Sequence, residues 1–226
     1  MNVCVIPARG GSKRIPYKNI RAFCGKPIIA WSILVAQKSK LFDRIIVSTD
    51  DDEISKVAIS YGAEVPFFRP PELSNDVVGT TPVIVHAAKE LQLVASDNLC
   101  CLYATAPFTS SSDLQEAMQL LTDSVAGTVV FGATSFAFPI QRAIRIDQYG
   151  YSSPVDPLSI CKRSQDLEEL FHDAGQFYLA PVDVWTSNFQ IFDVGRPLIL
   201  PRWRVQEIDT EEDWRCAELL HKILES

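Results

Sequence analysis

Short apolar runs alternate with longer amphipathic segments along the first 133 residues of the chain. The runs are continuously apolar, which is typical of strands covered on both faces of a sheet. The segments between them begin or end with proline, acidic residues or glycine, as helices often do. The pattern predicts strands over residues 2–8, 44–49, 98–104 and 127–133, and helices over residues 27–39, 51–62, 81–94 and 111–123.

Strands that alternate with helices of this length predict an α/β fold. We expect a Rossmann-like, mostly parallel sheet with helices on both faces. In such sheets, ligands bind beyond the carboxyl ends of the strands. This rule selects the loops after Ile6, Thr49 and Tyr103 as the place for a functional site.

The regular alternation stops after residue 133. Residues 134–176 combine short strand candidates with loops and a charged stretch. Further elements are predicted as strands over residues 143–147, 175–180 and 204–208, and as a closing helix over 210–224. Because the sequence contains no repeat or linker, we expect one domain over residues 1–226, in which residues 134–176 form an insertion.

The charge of the chain is unevenly distributed. The net charge is −7, yet residues 1–42 contain eight lysines and arginines and no acidic residue, so the remainder has a balance of −15. A basic amino-terminal segment on an acidic chain favours a localised anion site. A nucleic-acid-binding surface would need a broad basic face with stacking aromatic residues.

Composition narrows the class of protein further. No apolar run approaches the roughly 18 residues that a membrane span needs, and Met1 leads directly into a strand without a signal peptide. The six cysteines form no C-x-x-C pair, and the three histidines show no zinc-ligand spacing. We therefore expect a cytoplasmic protein with reduced cysteines and no membrane partner.

The stretch "IPARGGSKRIPYKN" (residues 6–19) places two glycines and four cations directly after an apolar strand. Gly10 and Gly11 permit positive φ and close backbone approach, so successive N–H groups can bind phosphate oxygens. Arg9 and Lys13 can bind the same oxygens. The loop matches neither G-x-x-x-x-G-K-[ST] nor G-x-G-x-x-G. A glycine-rich turn with solvated cations is the alternative interpretation.

Acidic side chains suggest a metal site. Asp50 stands at the carboxyl end of a predicted strand, a position for either a metal ligand or a ribose-binding group. Glu207 and Asp209 lie two positions apart at the end of the strand predicted over residues 204–208. Both side chains therefore project from one face of that strand and can bind Mg²⁺ together with substrate phosphates. The alternative is structural, because Thr210 and Asp213 fit the capping pattern of the following helix.

Polar side chains surround a glycine in "RSQDLEELFHDAGQFY" (residues 163–178). His172, Asp173 and Gln176 can form a pocket for a hydroxyl-rich ligand, or they can belong to a loop that rejoins a strand. The sequence has no G-x-S-x-G motif, which would indicate a nucleophilic serine.

The chain resembles the CMP-sialic acid synthetases over nearly its whole length. The stretches that carry the resemblance occur in the family's order: "IPARGGSKRIPYKN", "DRIIVSTDDDEI", "FRPPELSNDVVGT", "ATAPF", "RSQDLEELFHDAGQFY" and "EIDTEEDW". Within this superfamily, "RSQDL…HDAGQFY" looks most like the pseudaminic acid cytidylyltransferases. Sialic acid synthetases usually have an N-G-A-I-Y-like stretch at residues 174–178.

The resemblance implies a fold of the nucleotide-diphospho-sugar transferase type and a reaction. The anomeric hydroxyl of a nine-carbon 2-keto sugar acid attacks the α-phosphorus of CTP, which gives a CMP-sugar and pyrophosphate. The implied cofactor is Mg²⁺. The implied assembly is a homodimer in which residues 134–176 reach the partner's sugar site.

The resemblance also implies roles for individual residues. Relatives bind the triphosphate and nucleoside at the positions of Arg9, Gly10, Gly11, Ser12, Lys13, Lys18, Asn19, Arg69 and Thr80. Arg9, Lys13 and Asp209 are the expected catalytic residues. Asp209 matches a magnesium-binding aspartate, and Glu207 stands where many relatives have a second one. The sugar pocket is expected to include Arg142, Gln165, Asp166, His172, Asp173 and Gln176.

Other interpretations remain open on the sequence. The sugar acid can instead be N-acetylneuraminic, legionaminic or 3-deoxy-octulosonic acid, since a few pocket contacts decide the choice. A non-catalytic nucleotide-binding regulatory protein is the alternative of another class. It would keep Arg9 and the glycines but would tolerate loss of the carboxylates at 207 and 209.

Overall fold

The apolar runs build a six-stranded sheet in the computed structural model, which describes residues 1–187 and 190–225. The strands are β1 (Asn2–Pro7), β2 (Ala22–Phe23), β3 (Lys26–Pro27), β4 (Arg44–Ser48), β5 (Asn98–Leu102), β6 (Val129–Ser135), β7 (Ile144–Ile146), β8 (Ser152–Pro154), β9 (Phe171–Pro181) and β10 (Gly195–Ile199). The helices are α1 (Ile28–Ser39), α2 (Asp52–Ser60), α3 (Thr80–Glu90), α4 (Ser111–Thr122), α5 (Val182–Thr186) and α6 (Glu211–Glu225).

The sheet has the strand order β10-β6-β9-β5-β1-β4. β1 is parallel to β4 and β5, and β10 is parallel to β6. β9 is antiparallel to both of its neighbours, β5 and β6. The prediction of a mostly parallel α/β sheet is therefore confirmed.

Two layers of helices cover the faces of the sheet. Successive residues of β1 point to opposite faces, as the pleat requires. Cys4 and Ile6 pack in the cluster that contains α1, α2 and α4, whereas Val3 and Val5 pack in the cluster that contains α3 and α5. Both faces of the central strands are thus buried, which explains why their sequences are continuously apolar.

The predicted helix over residues 81–94 ends earlier than the apolar pattern suggests. Gln92 adopts a left-handed conformation with φ of 54°. Its N–H donates to Lys89 O and that of Leu93 donates to Ala88 O, both at 3.0 Å. This pair of bonds is a Schellman motif, which terminates α3 at Glu90.

The predicted strand over residues 204–208 is wrong. Arg202–Arg204 forms a short 3₁₀ helix, and irregular backbone follows it. The backbone oxygen of Arg204 accepts a hydrogen bond from Gln176 Nε2 at 2.7 Å, and its guanidinium binds Asp113 at 2.6 and 2.9 Å. Side-chain contacts therefore hold this segment, and β10 takes the edge position beside β6 instead.

Residues 136–170 leave the sheet between β6 and β9. We call this segment the arm. A hydrogen bond from Phe136 N to Leu170 O at 3.2 Å closes its base, and β7 pairs with β8 in an antiparallel hairpin within it. The arm carries large apolar side chains that are 75–83% exposed: Phe138, Tyr149, Tyr151 and Leu158.

Candidate active site

A cleft lies where the carboxyl ends of β1, β4 and β5 meet, as the topology rule predicts. It comprises a cavity of about 230 Å³ and an adjoining one of about 320 Å³. The predicted nucleotide-binding residues that line the two cavities are Arg9, Ser12, Lys13, Lys18, Asn19, Arg69 and Thr80. The structure therefore brings together side chains from residues 8–19, which we call the opening loop or basic loop. The other lining side chains come from the segment before α3 and from α3 itself.

The opening loop is held against the start of α2. Gly10 N donates to Asp50 Oδ1 at 3.0 Å. A Cβ on Gly10 would lie 2.6 Å from Asp51 Oδ2 and 2.9 Å from Asp51 Cβ, so this position requires glycine. Neither Gly10 nor Gly11 has a positive φ, so the expected use of left-handed backbone is wrong and close approach alone explains the first glycine.

The two cations of the loop face one carboxylate. Arg9 Nη1 lies 2.5 Å from Asp76 Oδ1, and Lys13 Nζ is paired with Asp76 Oδ2. The Lys13 ammonium, with the Arg9 guanidinium second, holds the pKa of Asp76 below its ordinary value. Asp50 accepts a hydrogen bond from the loop backbone, and Asp76 forms ion pairs with its side chains. The loop therefore binds carboxylates in the conformation that it already has.

Lys18 and Asn19 connect the loop to the carboxyl-terminal segment. Asn19 is 8% exposed, and its Nδ2 donates to Arg9 O at 3.0 Å. Lys18 Nζ donates to Ile208 O at 2.8 Å and lies 3.3 Å from Asp209 Oδ1. Arg14 reaches the other oxygen of Asp209 at 3.0 Å. Asp209 is thereby fixed beside the basic loop.

Arg69 is a buried cation in the wall of the cleft, with 6% exposure. Its Nη2 donates to Ser48 O at 3.0 Å, whereas its Nε has no hydrogen-bond partner among the described residues. Burial lowers the pKa of the guanidinium, and Asp50 partly offsets this effect. A buried donor without a partner is costly, which favours a ligand that supplies an acceptor.

A chain of hydroxyl groups crosses the cleft from α3 to β9. Thr80 Oγ1 and the Tyr103 hydroxyl are 2.7 Å apart. Tyr103 is also hydrogen-bonded to Tyr178, whose hydroxyl donates to Asp173 Oδ2. Burial raises the pKa of Tyr103 to about 12, so the phenol stays neutral near neutral pH. The chain links the nucleotide side of the cleft to a predicted sugar residue.

The predicted sugar residues on β9 have different surroundings. His172 and Asp173 line a cavity of about 340 Å³, together with Phe131, Ala133, Phe171, Phe192 and Pro197. Gln176 is 4% exposed, and its Oε1 accepts from Thr109 at 3.1 Å while its Nε2 binds Arg204 O. Gln176 therefore braces the fold, and its contact with a sugar stays a prediction.

The remaining predicted sugar residues lie in the arm. Arg142 Nη1 donates to Ser164 Oγ at 3.1 Å and lines a separate cavity of about 600 Å³. Asp166 pairs with Arg163 at 2.7 Å, and Gln165 is exposed beside it. None of the three lines the cleft that contains Arg9 and Thr80.

The predicted metal ligands are only partly supported by geometry. Without a strand over residues 204–208, the argument that Glu207 and Asp209 share one face of a strand fails. Glu207 is exposed, whereas Asp209 borders the basic loop. Within residues 1–187 and 190–225, no three His, Cys, Asp or Glu side chains form a metal cluster. Mg²⁺ often uses one or two carboxylates with substrate phosphates, and Asp209 fits that role.

The cleft residues that were not predicted include Arg14, Asp76 and Tyr103. Asp76 lies within the stretch "FRPPELSNDVVGT", from which only Arg69 and Thr80 were chosen. Tyr103 directly follows β5, the strand whose loop the topology rule selected. Position at the carboxyl edge could have identified Tyr103, but the ion pairs of Arg14 and Asp76 join loops distant in sequence.

The chain is similar to known proteins in both sequence and fold. A family model described as Cytidylyltransferase matches residues 3–175. The chain is 42% identical to the pseudaminic acid cytidylyltransferase of Campylobacter jejuni subsp. jejuni serotype O:23/36, over 98% of this chain and 97% of that protein. It is 31% identical to the CMP-N,N'-diacetyllegionaminic acid synthase of Legionella pneumophila subsp. pneumophila, over 98% and 96% of the two chains.

The structure of a CMP:2-keto-3-deoxy-manno-octonic acid synthetase complexed with CTP is similar to this chain, with a TM-score of 0.73. The likeness covers 99% of both chains at 19% identity, and it establishes the fold. Fold and cleft define an α/β protein of the nucleotidyltransferase class. With the family model and the full-length relatives, the chain belongs to the cytidylyltransferase family.

Proposed function

We propose that the protein transfers CMP from CTP to the anomeric hydroxyl of pseudaminic acid. The observation that carries this proposal is the cleft in which the basic loop meets the buried Arg69, whose Nε has no hydrogen-bond partner among the described residues. Asp209 is paired with two cations of that loop, Lys18 and Arg14. The 42% identity to a pseudaminic acid cytidylyltransferase supports the choice of sugar acid.

In the proposed reaction the anomeric oxygen forms a bond to the α-phosphorus of CTP. The bond from that phosphorus to the bridging oxygen of the β-phosphate breaks, pyrophosphate leaves, and the hydroxyl proton is released. Transfer of this kind depends on positioning and on neutralisation of charge more than on covalent catalysis.

The residues of the cleft divide this work. Arg9 and Lys13, with the backbone of Gly10, Gly11 and Ser12, bind the triphosphate, and Lys13 stabilises charge near the scissile phosphate. Lys18 is a second cation for that charge, and it also orients Asp209 through its 3.3 Å contact. Asn19 holds the loop through its bond to Arg9 O. Arg69 and Thr80 form the pocket for cytosine and ribose.

Asp209 is the proposed Mg²⁺ ligand, and Glu207 is a second carboxylate within two residues of it. When bound, Mg²⁺ supplies charge neutralisation at the phosphates. Asp209→Asn is expected to abolish turnover at ordinary Mg²⁺ concentrations and to leave the melting temperature near that of the wild type. Pyrophosphate release across a Mg²⁺ titration, with thermal unfolding in parallel, tests this expectation.

Asp213→Asn is the matched control for that experiment. Asp213 Oδ2 caps α6 by accepting from Thr210 N at 2.8 Å, and it also accepts from Asp209 N at 3.1 Å. Its loss is expected to lower the melting temperature, whereas turnover is expected to persist at ordinary Mg²⁺ because the Asp209 carboxylate remains. Full activity of Asp209→Asn at ordinary Mg²⁺ would contradict the proposed ligand and leave Asp209 as a partner of Lys18 and Arg14.

The proposal for the sugar acid and the assembly rests on the second half of the chain. We expect one domain over residues 1–226 and a homodimer in which the arm brings Arg142, Gln165 and Asp166 to the partner's sugar site. His172, Asp173 and Gln176 would come from the same chain as the nucleotide cleft. We expect the protein to act in the cytoplasm, where CTP is made. Within the described residues, no helix is both long and apolar enough to span a membrane.

Pyrophosphate release with CTP and Mg²⁺ tests the proposed reaction. Pseudaminic, N-acetylneuraminic and legionaminic acids are offered separately to the purified protein. Release with pseudaminic acid alone is the expected result. Release with another acid would keep the reaction and overturn the sugar assignment. Binding of CTP without release on any acid would favour the non-catalytic nucleotide binder.

A further inference from the structure

Asp76 lies where the proposed triphosphate site has its cations. Its two carboxylate oxygens are divided between Arg9, at 2.5 Å, and Lys13. The Asp76 side chain is 39% exposed, and those of Arg9 and Lys13 are 33% and 80% exposed. All three side chains therefore border the solvent-filled mouth of the cleft, and Asp76 also lines both of its cavities.

The segment that carries Asp76 is braced by its own side chains. Asn75 Oδ1 accepts from Val77 N at 2.9 Å and from Val78 N at 3.0 Å, and Asn75 Nδ2 donates to Glu72 O. Such local bonds form a turn that keeps its shape. Val77 at its tip is 92% exposed, so an outward shift of the turn would uncover little apolar surface.

We propose that Asp76 is a specificity-determining residue, which competes with phosphate groups for Arg9 and Lys13. The inference rests on the proposed function, because it assumes that these two cations bind the triphosphate. A carboxylate and a phosphate at one pair of cations repel each other, so a phosphate must displace the carboxylate to bind. Asp76 thus weakens the binding of every ligand that uses these cations. It borders the cavity of Arg69 and Thr80, but its ion pairs are with Arg9 and Lys13, so the affinity for the nucleoside is expected to change little.

This competition has a consequence for the reaction. Pyrophosphate, the leaving product, is the anion that Arg9 and Lys13 would hold most strongly once CMP has been transferred. A carboxylate that returns to the cations assists the release of pyrophosphate. The low pKa of Asp76, caused by Lys13 and Arg9, keeps it charged at neutral pH.

Isothermal titration with inorganic pyrophosphate, CTP and cytidine tests the proposal, with Mg²⁺ present throughout. Asp76→Asn is expected to bind pyrophosphate and CTP about threefold to tenfold more tightly, the scale of one or two exposed ion pairs. Cytidine has no phosphate, so its affinity is expected to stay unchanged. The inhibition constant of pyrophosphate in steady-state turnover is expected to fall by the same factor.

Glu72→Gln is the matched control, because Glu72 is an exposed carboxylate four residues upstream in the same segment. It is expected to keep the wild-type constants for pyrophosphate, CTP and cytidine. If Asp76→Asn unfolds below the assay temperature, Asp76→Ser serves in the same titrations with the same expected result.

The outcomes separate this inference from the proposed function. Equal or weaker binding of pyrophosphate by Asp76→Asn, while the wild type binds it, would overturn the competition alone. A parallel gain in cytidine affinity would also overturn it, because a carboxylate at the phosphates does not act on the nucleoside. A wild-type protein that binds neither CTP nor pyrophosphate would overturn the proposed function and this inference together.

Discussion

Lys13 is the most exposed member of the basic loop, with 80% of its side chain accessible. Such a cation contributes little to the folded state, so its removal should reveal its part in the reaction. Lys13→Ala is expected to lower kcat by on the order of 10²-fold, the loss typical of one transition-state charge contact. Steady-state pyrophosphate release measures the effect, and circular dichroism checks the fold. Unchanged turnover would remove Lys13 from the mechanism.

Burial raises the pKa of Tyr103 to about 12 from the ordinary value of 10. Between pH 10 and pH 12 the phenol is protonated in the folded state and largely ionised in the unfolded state. The free energy of unfolding therefore falls as the pH rises from 10 toward 12. Tyr103→Phe removes this titration. We therefore expect the free energy of unfolding to fall less steeply in Tyr103→Phe than in the wild type between pH 10 and 11.

Urea unfolding at pH 8, 10 and 11 measures the Tyr103 effect. The difference in slope is expected to be about 1 kcal/mol per pH unit. The variant should also be less stable at pH 8, because Thr80 and Tyr178 lose a hydrogen-bond partner. Parallel curves for the two proteins would show that Tyr103 is ionised as easily in the folded chain as in the unfolded one.

The opening loop and α2 are built as one unit. Asp51 caps α2 by accepting from Glu53 N and Ile54 N, both at 2.9 Å, and the same side chain packs against Gly10. Gly10→Ala would push Asp51 from this position and cost about 1 kcal/mol for the lost cap. We expect the melting temperature to fall by roughly 2–4 °C and the affinity for CTP to fall with it.

Gly11→Ala is the control for that substitution. A Cβ on Gly11 meets nothing within 4 Å, so the stability should be nearly unchanged. Asp51→Gly in the Gly10→Ala background should restore part of the loss, because it removes the clashing side chain and glycine is tolerated as a cap. Equal effects of the two alanine substitutions would refute the steric explanation.

The first half of the fold could be predicted because each buried strand is a continuous apolar run that needs no partner to be recognised. β10 could not, because Arg196 and Pro197 break any apolar pattern in this edge strand. Residues 204–208 have a strand-like pattern, but Asp113 and Gln176 hold the start of that segment. In both cases the neighbours in space decide the structure.

The site divides in the same way. The carboxyl-edge rule and the family resemblance identified Arg9, Lys13, Arg69 and Thr80, which do line one cleft. Asp76 was missed because its ion pairs join segments more than sixty residues apart, and no local pattern marks them. Side chains two positions apart lie on one face only within a strand. The prediction for Glu207 and Asp209 failed because no strand forms there.

Large apolar side chains of the arm are exposed to solvent in the described chain. An exposed apolar surface of this kind supports the proposed homodimer. Leu158 is 82% exposed. Leu158→Lys is expected to shift the protein toward monomer in sedimentation velocity at micromolar concentration and to lower sugar-dependent turnover. A wild-type protein that is already monomeric would contradict the proposed assembly.

Val125→Lys provides the control for the arm. Val125 is equally exposed, at 82%, but lies between α4 and β6, away from the arm. It is expected to leave both sedimentation and turnover unchanged. Dissociation by both substitutions would show that added charge, not the arm surface, changes the assembly.

The central position of β9 has a consequence for how the chain assembles. β5 and β6 have no contact as sheet neighbours until β9 enters between them, and β9 follows the arm in sequence. The two parallel parts of the sheet, β5-β1-β4 and β10-β6, are therefore joined only through β9, by pairs such as Cys101 with Tyr178. The arm is the loop between β6 and β9, and the free-energy cost of closing it grows only with the logarithm of its length, by about 0.6 kcal/mol for each doubling. The arm can therefore change in length or sequence at little cost to folding.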